Sequence, residues 1–203
     1  MNSIKLNGNK ITPSKVVCIG RNYVEHIEEL NNEVPSEPVI FIKPNSAISN
    51  EIYSGKTDTI HYEGEISFLV VSSKISAIGM GLDLTKREVQ TKLKTKGLPW
   101  ERAKSFDNSA VFSDFVPFNG NMKDLRMELY INSVLIQKAE YQMMLNKPND
   151  ILNEIKTFLT LEDGDIVMTG TPKGVGEIKT GDIFLGKIFE GDQLLVDGSW
   201  VVK

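Results

Sequence analysis

Ile60-His61-Tyr62-Glu63-Gly64-Glu65-Ile66-Ser67-Phe68-Leu69-Val70-Val71 is the stretch from which the fold is read. Its second half is β-branched and aromatic with apolar residues at alternate positions, the pattern of a strand. Side chains alternate faces along a strand, so Glu63 and Glu65 share one side. Two carboxylates at that spacing can converge on one hard cation, because Mg²⁺ and Mn²⁺ take oxygen ligands. The plainer alternative is a solvated face made of His61, Glu63, Glu65 and Ser67. The same face continues as Leu69 and Val71, which predicts a strand running into a core buried on both sides. Gly64 weakens the strand between the carboxylates unless another backbone or a ligand comes close.

The 203 residues carry 40% hydrophobic and 25% charged side chains with a net charge of −4, an ordinary soluble composition long enough for a sizeable core. No basic cluster marks a nucleic-acid partner, and no apolar run marks a membrane span. With no secretory leader pattern and one cysteine, Cys18, the expectation is a cytoplasmic protein without disulfides. Between Val17 and Ile19, Cys18 reads as a small core residue.

Outward from the central stretch, Ile4 to Ile11 is a hairpin with Asn7-Gly8 at its turn. Val16 to Ile19 is a buried strand ending at Gly20. After it, Tyr23, Ile27 and Leu30 fall on one helical stripe, and His26 and Glu29 are i,i+3 neighbours. Such a pair can serve as a general base, or it can decorate a helix surface. Val39 to Ile42 is a further buried strand, and residues 45–59 are a polar loop. Thr85 and Glu88 form a capping box for a helix ending near Gly97, which leaves Asp83 just outside its N-terminus. There Asp83 is either a surface acid or a third metal ligand.

Gly97 to Asp107, with Trp100 and Lys104, is a loop of weak periodicity. Leu129 to Ile136 makes two strands around Asn132-Ser133. Asn149 caps an amphipathic helix bearing Ile151, Leu152, Ile155, Phe158 and Leu159. Asp165 to Gly176 is a short strand entering a glycine-rich loop whose N–H groups can hold an anion, though not with a nucleotide-binding spacing. The tail, Leu194 to Val202, is a hairpin turning at Asp197-Gly198. With no repeat or linker, one domain spanning 1–203 is expected.

Taken in order, Cys18-Ile19-Gly20-Arg21-Asn22-Tyr23, Glu63-x-Glu65, Gly97-Leu98-Pro99-Trp100 with Ala103-Lys104-Ser105-Phe106-Asp107, and Thr169-Gly170-Thr171-Pro172-Lys173-Gly174-Val175-Gly176 resemble the fumarylacetoacetate hydrolase family. The likeness runs from about Lys15 to the C-terminus and is nearest to the small acylpyruvate hydrolase and oxaloacetate decarboxylase branch. It implies an α+β fold, a mixed β-sheet roll with a few short helices, commonly paired as a homodimer. It implies Glu63, Glu65 and Asp83 as ligands of Mg²⁺ or Mn²⁺, and Lys104 as the active-site lysine. His26 and Glu29 become the dyad of a lid helix, and Arg21, Gln90 and Thr171 line the substrate pocket. The activity implied is metal-dependent cleavage of a carbon–carbon bond in 2,4-dioxo acids, giving pyruvate and a carboxylate. Oxaloacetate decarboxylation and keto–enol isomerisation or tautomerisation are the alternatives on the same machinery. A binding protein without catalysis is the remaining one, and it would need neither the dyad nor Lys104.

Overall fold

The computed structural model describes residues 1–55 and 57–203, so Lys56, within the expected polar loop, lies outside the described residues. At its centre the strand Gly64–Val71 pairs antiparallel with Lys74–Asp83, setting Glu65 opposite Gly81 and Gly64 opposite Leu82. The two are joined by Ser72 and Ser73, at φ 50° and 58°, the left-handed pair that a two-residue hairpin turn requires. On the other side of the central strand come Ile166–Met168, Lys15–Gly20 and finally Val39–Pro44. Beyond Lys74–Asp83 lie Ala110–Phe112 and Ile48–Ser49, with Val116–Pro117 on the lower half of the same strand. Parallel pairs join Ile166–Met168 to Lys15–Gly20 and Ala110–Phe112 to Ile48–Ser49, so this eight-stranded sheet is mixed.

A second, antiparallel sheet orders Val134–Glu140, Leu125–Ile131, Ile183–Glu190 and Gln193–Val201. Ile66, Phe68, Ile78 and Met80 of the large sheet pack with Met127, Leu129, Phe184 and Ile188 of the second. Each fully buried side chain of this size contributes about 1.5–3 kcal/mol. The remaining part of that face, Val17, Ile19 and Val167, is covered by Ile151, Leu152 and Ile155 of the helix Pro148–Lys156. The opposite face carries Val16, Cys18, Leu69, Phe112, Phe115 and Met168. The architecture is the α+β roll expected from the sequence. Among the described residues no helix is long and apolar enough to cross a membrane.

Several local expectations change. The central stretch is two strands: Ile60–Tyr62 belongs to a small third sheet with Gly176–Glu177 and Thr85–Lys86, and Glu63 stands at the break. Asp83 is the last residue of a ten-residue strand rather than a loop acid before a helix. The capping box does not form. Helix Arg87–Thr95 starts after Lys86 with no side-chain cap, because the Thr85 hydroxyl is engaged by Lys104. Glu101–Lys104 is a short helix inside the expected loop.

Helix Pro148–Lys156 begins at Pro148 rather than at an Asn149 cap, since proline suits the first helical position. Phe158 lies past its end and is exposed. Val39–Pro44 is an edge strand, half-buried at best over Val39 to Ile42. The tail does not turn at Asp197-Gly198. Both residues pair in mid-strand with Lys187 and Gly186, and the chain reverses at Gly191 (φ 55°) and Asp192. Burial of Val196 and Trp200 fixes that register.

Candidate metal centre and active site

The pairing of the two central strands builds the acidic cluster. Asp83 N–H donates to the Glu63 carbonyl at 2.8 Å, which sets the last residue of one strand against the break in the other. One oxygen from each of Glu63, Glu65 and Asp83 then lies within 4.8 Å of the others, and all three residues are buried. Lys104 Nζ donates to Glu63 Oε2 at 2.8 Å, to Asp83 Oδ2 at 2.7 Å and to Thr85 Oγ1 at 2.7 Å. Arg87 Nη2 reaches Glu63 Oε1 at 2.5 Å. Burial alone would raise the Glu63 carboxyl, but the Lys104 and Arg87 cations hold it far below the ordinary range. Glu65 has no such partner. Burial, then the charges of Asp83 and Glu63, push its carboxyl well up, and the Lys104 charge and the Gly170 N–H at 2.6 Å only partly offset them.

These residues fit a divalent cation. The donor set is three carboxylates, the hard oxygen ligands that Mg²⁺ and Mn²⁺ take. Asp83 Oδ1 is buried and accepts no hydrogen bond among the described residues. Its charge is met by Lys43 Nζ, an ion pair at 2.8 Å, and that ammonium also donates to the Leu84 carbonyl, the Lys104 carbonyl and Ser109 Oγ. The Glu65 carboxyl, buried and forced up by its acidic neighbours, leaves room for positive charge.

The helix Val24–Glu29 closes over this cluster. His26, 6% exposed, holds Glu29 Oε2 through Nδ1 at 3.0 Å, and Glu29 Oε1 accepts from Gly174 N–H at 2.9 Å. The glycine-rich loop does bind anions through its backbone, but they are the chain's own, Glu65 at Gly170 and Glu29 at Gly174. Gly174 is left-handed at φ 97°, and a Cβ there would meet the Ile136 carbonyl at 2.5 Å. Under the helix remains a small cavity. Of the residues singled out from sequence, Arg21, His26, Glu63, Gln90 and Lys104 line it. Thr171 does not. Its hydroxyl is 3.0 Å from the Gly64 carbonyl and takes a hydrogen bond from Gln137 Nε2 at 2.9 Å.

Three residues of this region escape a sequence reading. Gln137, on the edge of the second sheet and 1% exposed, accepts from Gly64 N–H at 2.9 Å and donates to Thr171 and to the Pro172 carbonyl. It fills the rungs left open where strand Ile166–Met168 ends. A Cβ on Gly64 would meet Gln137 Oε1 at 2.9 Å, which is the close approach that Gly64 implied. Lys43 is wholly buried against Asp83, with no local sign beyond its place at the end of an apolar strand. Lys94 also lines the cavity. Its sign was present, since Arg87, Gln90 and Lys94 stand at i, i+3 and i+7 of one helix. The thiol of Cys18, buried and pushed well up by that burial, is no nucleophile.

Residues 15–202 match the family model described as fumarylacetoacetate (FAA) hydrolase C-terminal. The chain is 39% identical to the oxaloacetate tautomerase YcgM of Escherichia coli, over 89% of this chain and 90% of that one. It is 34% identical to the mitochondrial oxaloacetate tautomerase FMP41 of Saccharomyces cerevisiae, over 90% of each. A crystal structure of fumarylpyruvate hydrolase from Pseudomonas aeruginosa, in complex with Mn²⁺ and pyruvate, superposes with a TM-score of 0.89 at 27% identity, covering 99% of this chain and 95% of that one.

Proposed function

The chain belongs to the fumarylacetoacetate hydrolase family, and from that premise we propose that it is a divalent-metal-dependent enzyme catalysing keto–enol interconversion of oxaloacetate. The observation that carries this reading is the buried Glu63, Glu65 and Asp83 cluster beside a cavity lined by Arg21, Arg87 and Lys104. Mg²⁺ or Mn²⁺ held by the three carboxylates would supply Lewis-acid polarisation of the 2-oxo group, making the adjacent C3–H acidic. The chain's own groups do the rest. His26 Nδ1 faces Glu29 Oε2 at 3.0 Å, which leaves Nε2 of this cavity-lining ring to exchange protons with the substrate. His26 Nε2 takes the proton from C3 and returns one to the keto oxygen, or runs the exchange in reverse. Lys104 supplies positive charge toward the developing oxyanion. The lid helix, whose His26 lines the cavity, shields the reacting atoms from bulk water.

Hydrolysis of 2,4-dioxo acids is the second reading, favoured by the same His26–Glu29 pair, which could activate a water instead. The deciding experiment follows the ultraviolet absorbance of the enol of oxaloacetate, with pyruvate release from oxaloacetate and from a panel of acylpyruvates measured in parallel. The expected result is accelerated interconversion, abolished by chelation and restored by Mg²⁺ or Mn²⁺. No acceleration at saturating metal, with rapid cleavage of an acylpyruvate, would replace the first reading by the second. His26→Ala should lower the responsible rate by about 10²–10⁴-fold.

A further inference from the structure

Four cations line the cavity, Arg21, Arg87, Lys94 and Lys104, against one lining carboxylate, Glu63. Lys104 and Arg87 are both paired with Glu63. Among the described residues, Arg21 and Lys94 pair with no carboxylate at all. Among the described residues Lys94 donates only to the neutral Asn32 Oδ1. Arg21 Nη1 reaches the Glu33 carbonyl at a long 3.5 Å, and its Nε is buried without an acceptor. Arg87 Nε is orphaned in the same way. Buried N–H donors without acceptors are costly, and like charges around one small cavity repel. Burial, then the Arg21 and Arg87 guanidiniums, push the Lys94 ammonium below its ordinary range. A wall with surplus charge and idle donors is complementary to an anion.

The backbone has been arranged to produce this wall. Arg21 holds a left-handed conformation at φ 57°, unusual for a side chain of its size, at the exit of strand Lys15–Gly20. Lys94 stands two turns along the helix from Arg87, on the stripe that also carries Gln90. Its partner Asn32 lies just past the lid helix, so Lys94 touches both the cavity and the trailing end of the lid.

We propose that Lys94, together with Arg21, forms the seat for the second carboxylate of a dicarboxylic substrate, and that Lys94 selects dicarboxylates over 2-oxo acids with an uncharged acyl group. This rests on the reading that the site takes a 2-oxo acid, whose first carboxylate and keto oxygen face the acidic cluster. The remote carboxylate then neutralises the wall and meets the lid's trailing end, so recognition and closure occur together.

The test compares malate with lactate, which differ by the second carboxylate alone and cannot enolise, binding to the Mg²⁺-saturated protein by calorimetry. Wild type should bind malate at least about tenfold more tightly than lactate. Lys94→Met should weaken malate by about ten- to a hundredfold, the worth of one charge-assisted hydrogen bond, and change lactate by less than about twofold. Lys94→Arg should keep most of the discrimination, and unchanged melting temperatures would show both variants folded. Equal affinities for malate and lactate in wild type would overturn the proposal, as would an equal loss of both in Lys94→Met. Discrimination in a protein that accelerates no enolisation would leave the seat standing and remove the proposed reaction.

Discussion

Replacing Glu65 by Gln should move stability and metal affinity in opposite directions. One oxygen of Glu65 lies within 4.8 Å of oxygens of both Glu63 and Asp83, and at an effective dielectric constant of about 20 each like-charged pair costs about 3.5 kcal/mol. Lys104 lies between Glu63 and Asp83 and offsets part of this. Glutamine keeps an oxygen for the Gly170 N–H and can donate to a neighbouring carboxylate. The metal-free variant should therefore be about 2–3 kcal/mol more stable than metal-free wild type, which is about 4–12 °C in melting temperature for a chain of this length.

The pH dependence has a definite sign. A carboxyl raised on folding favours the fold while protonated, so metal-free wild type should lose stability as pH rises from the ordinary carboxylate range toward the raised value. Glu65→Gln should lack that slope. With metal present the order reverses, because a charged ligand is gone, and affinity for Mn²⁺ should fall by at least about a hundredfold. Thermal melts in chelator and Mn²⁺ titrations decide the matter. Unchanged Mn²⁺ affinity, or a chelated variant no more stable than wild type, would refute the reasoning.

Lys104→Met should reduce turnover by orders of magnitude and also lower metal-free stability by about 3–5 kcal/mol, because Glu63 and Asp83 are left buried without their ammonium. A melt in chelator at wild-type temperature would show the ion pairs to be idle. Gln137→Leu should cost about 2–4 kcal/mol by orphaning the Gly64 N–H and the Pro172 carbonyl, and should weaken Mn²⁺ binding by about tenfold through the loosened Glu63-Gly64-Glu65 backbone. Loss of stability with unchanged Mn²⁺ affinity would confine Gln137 to the fold. Asp165 is the acid-sensitive site. Burial alone would raise its carboxyl, but hydrogen bonds from Lys15, the Glu162 N–H and Ser14 hold it below the ordinary range. Its contribution is thus complete above the unfolded carboxylate value near pH 4 and lost as pH falls through the lowered one. Asp165→Asn should flatten that acid limb of stability against pH, which urea titrations between about pH 2 and 6 would show.

Elements whose signals are local were legible in the sequence. Alternation marked Gly64–Val71 and Lys15–Gly20, Asn7-Gly8 and Asn132-Ser133 marked hairpins through residues that accept positive φ, and the ordered motifs marked the family. It also brought Glu63 and Glu65 to one site, because a period of two is built into extended backbone. Where two local signals competed, tertiary context chose. The Thr85 hydroxyl went to Lys104 instead of a helix cap, and Asp197-Gly198 stayed in mid-strand because Val196 and Trp200 had to face the core.

Only the tertiary structure could supply Gln137, Lys43 and the free donors of Arg21, since each acts through a partner far away in sequence. Gln137 meets Gly64 from 73 residues away, and Lys104 meets Glu63 from 41. No window of sequence holds such a pair. The carboxylates were legible because one strand, the break just before it and its hairpin partner carry them, whereas the charge surrounding them was not, because it converges from separate strands, helices and a second sheet.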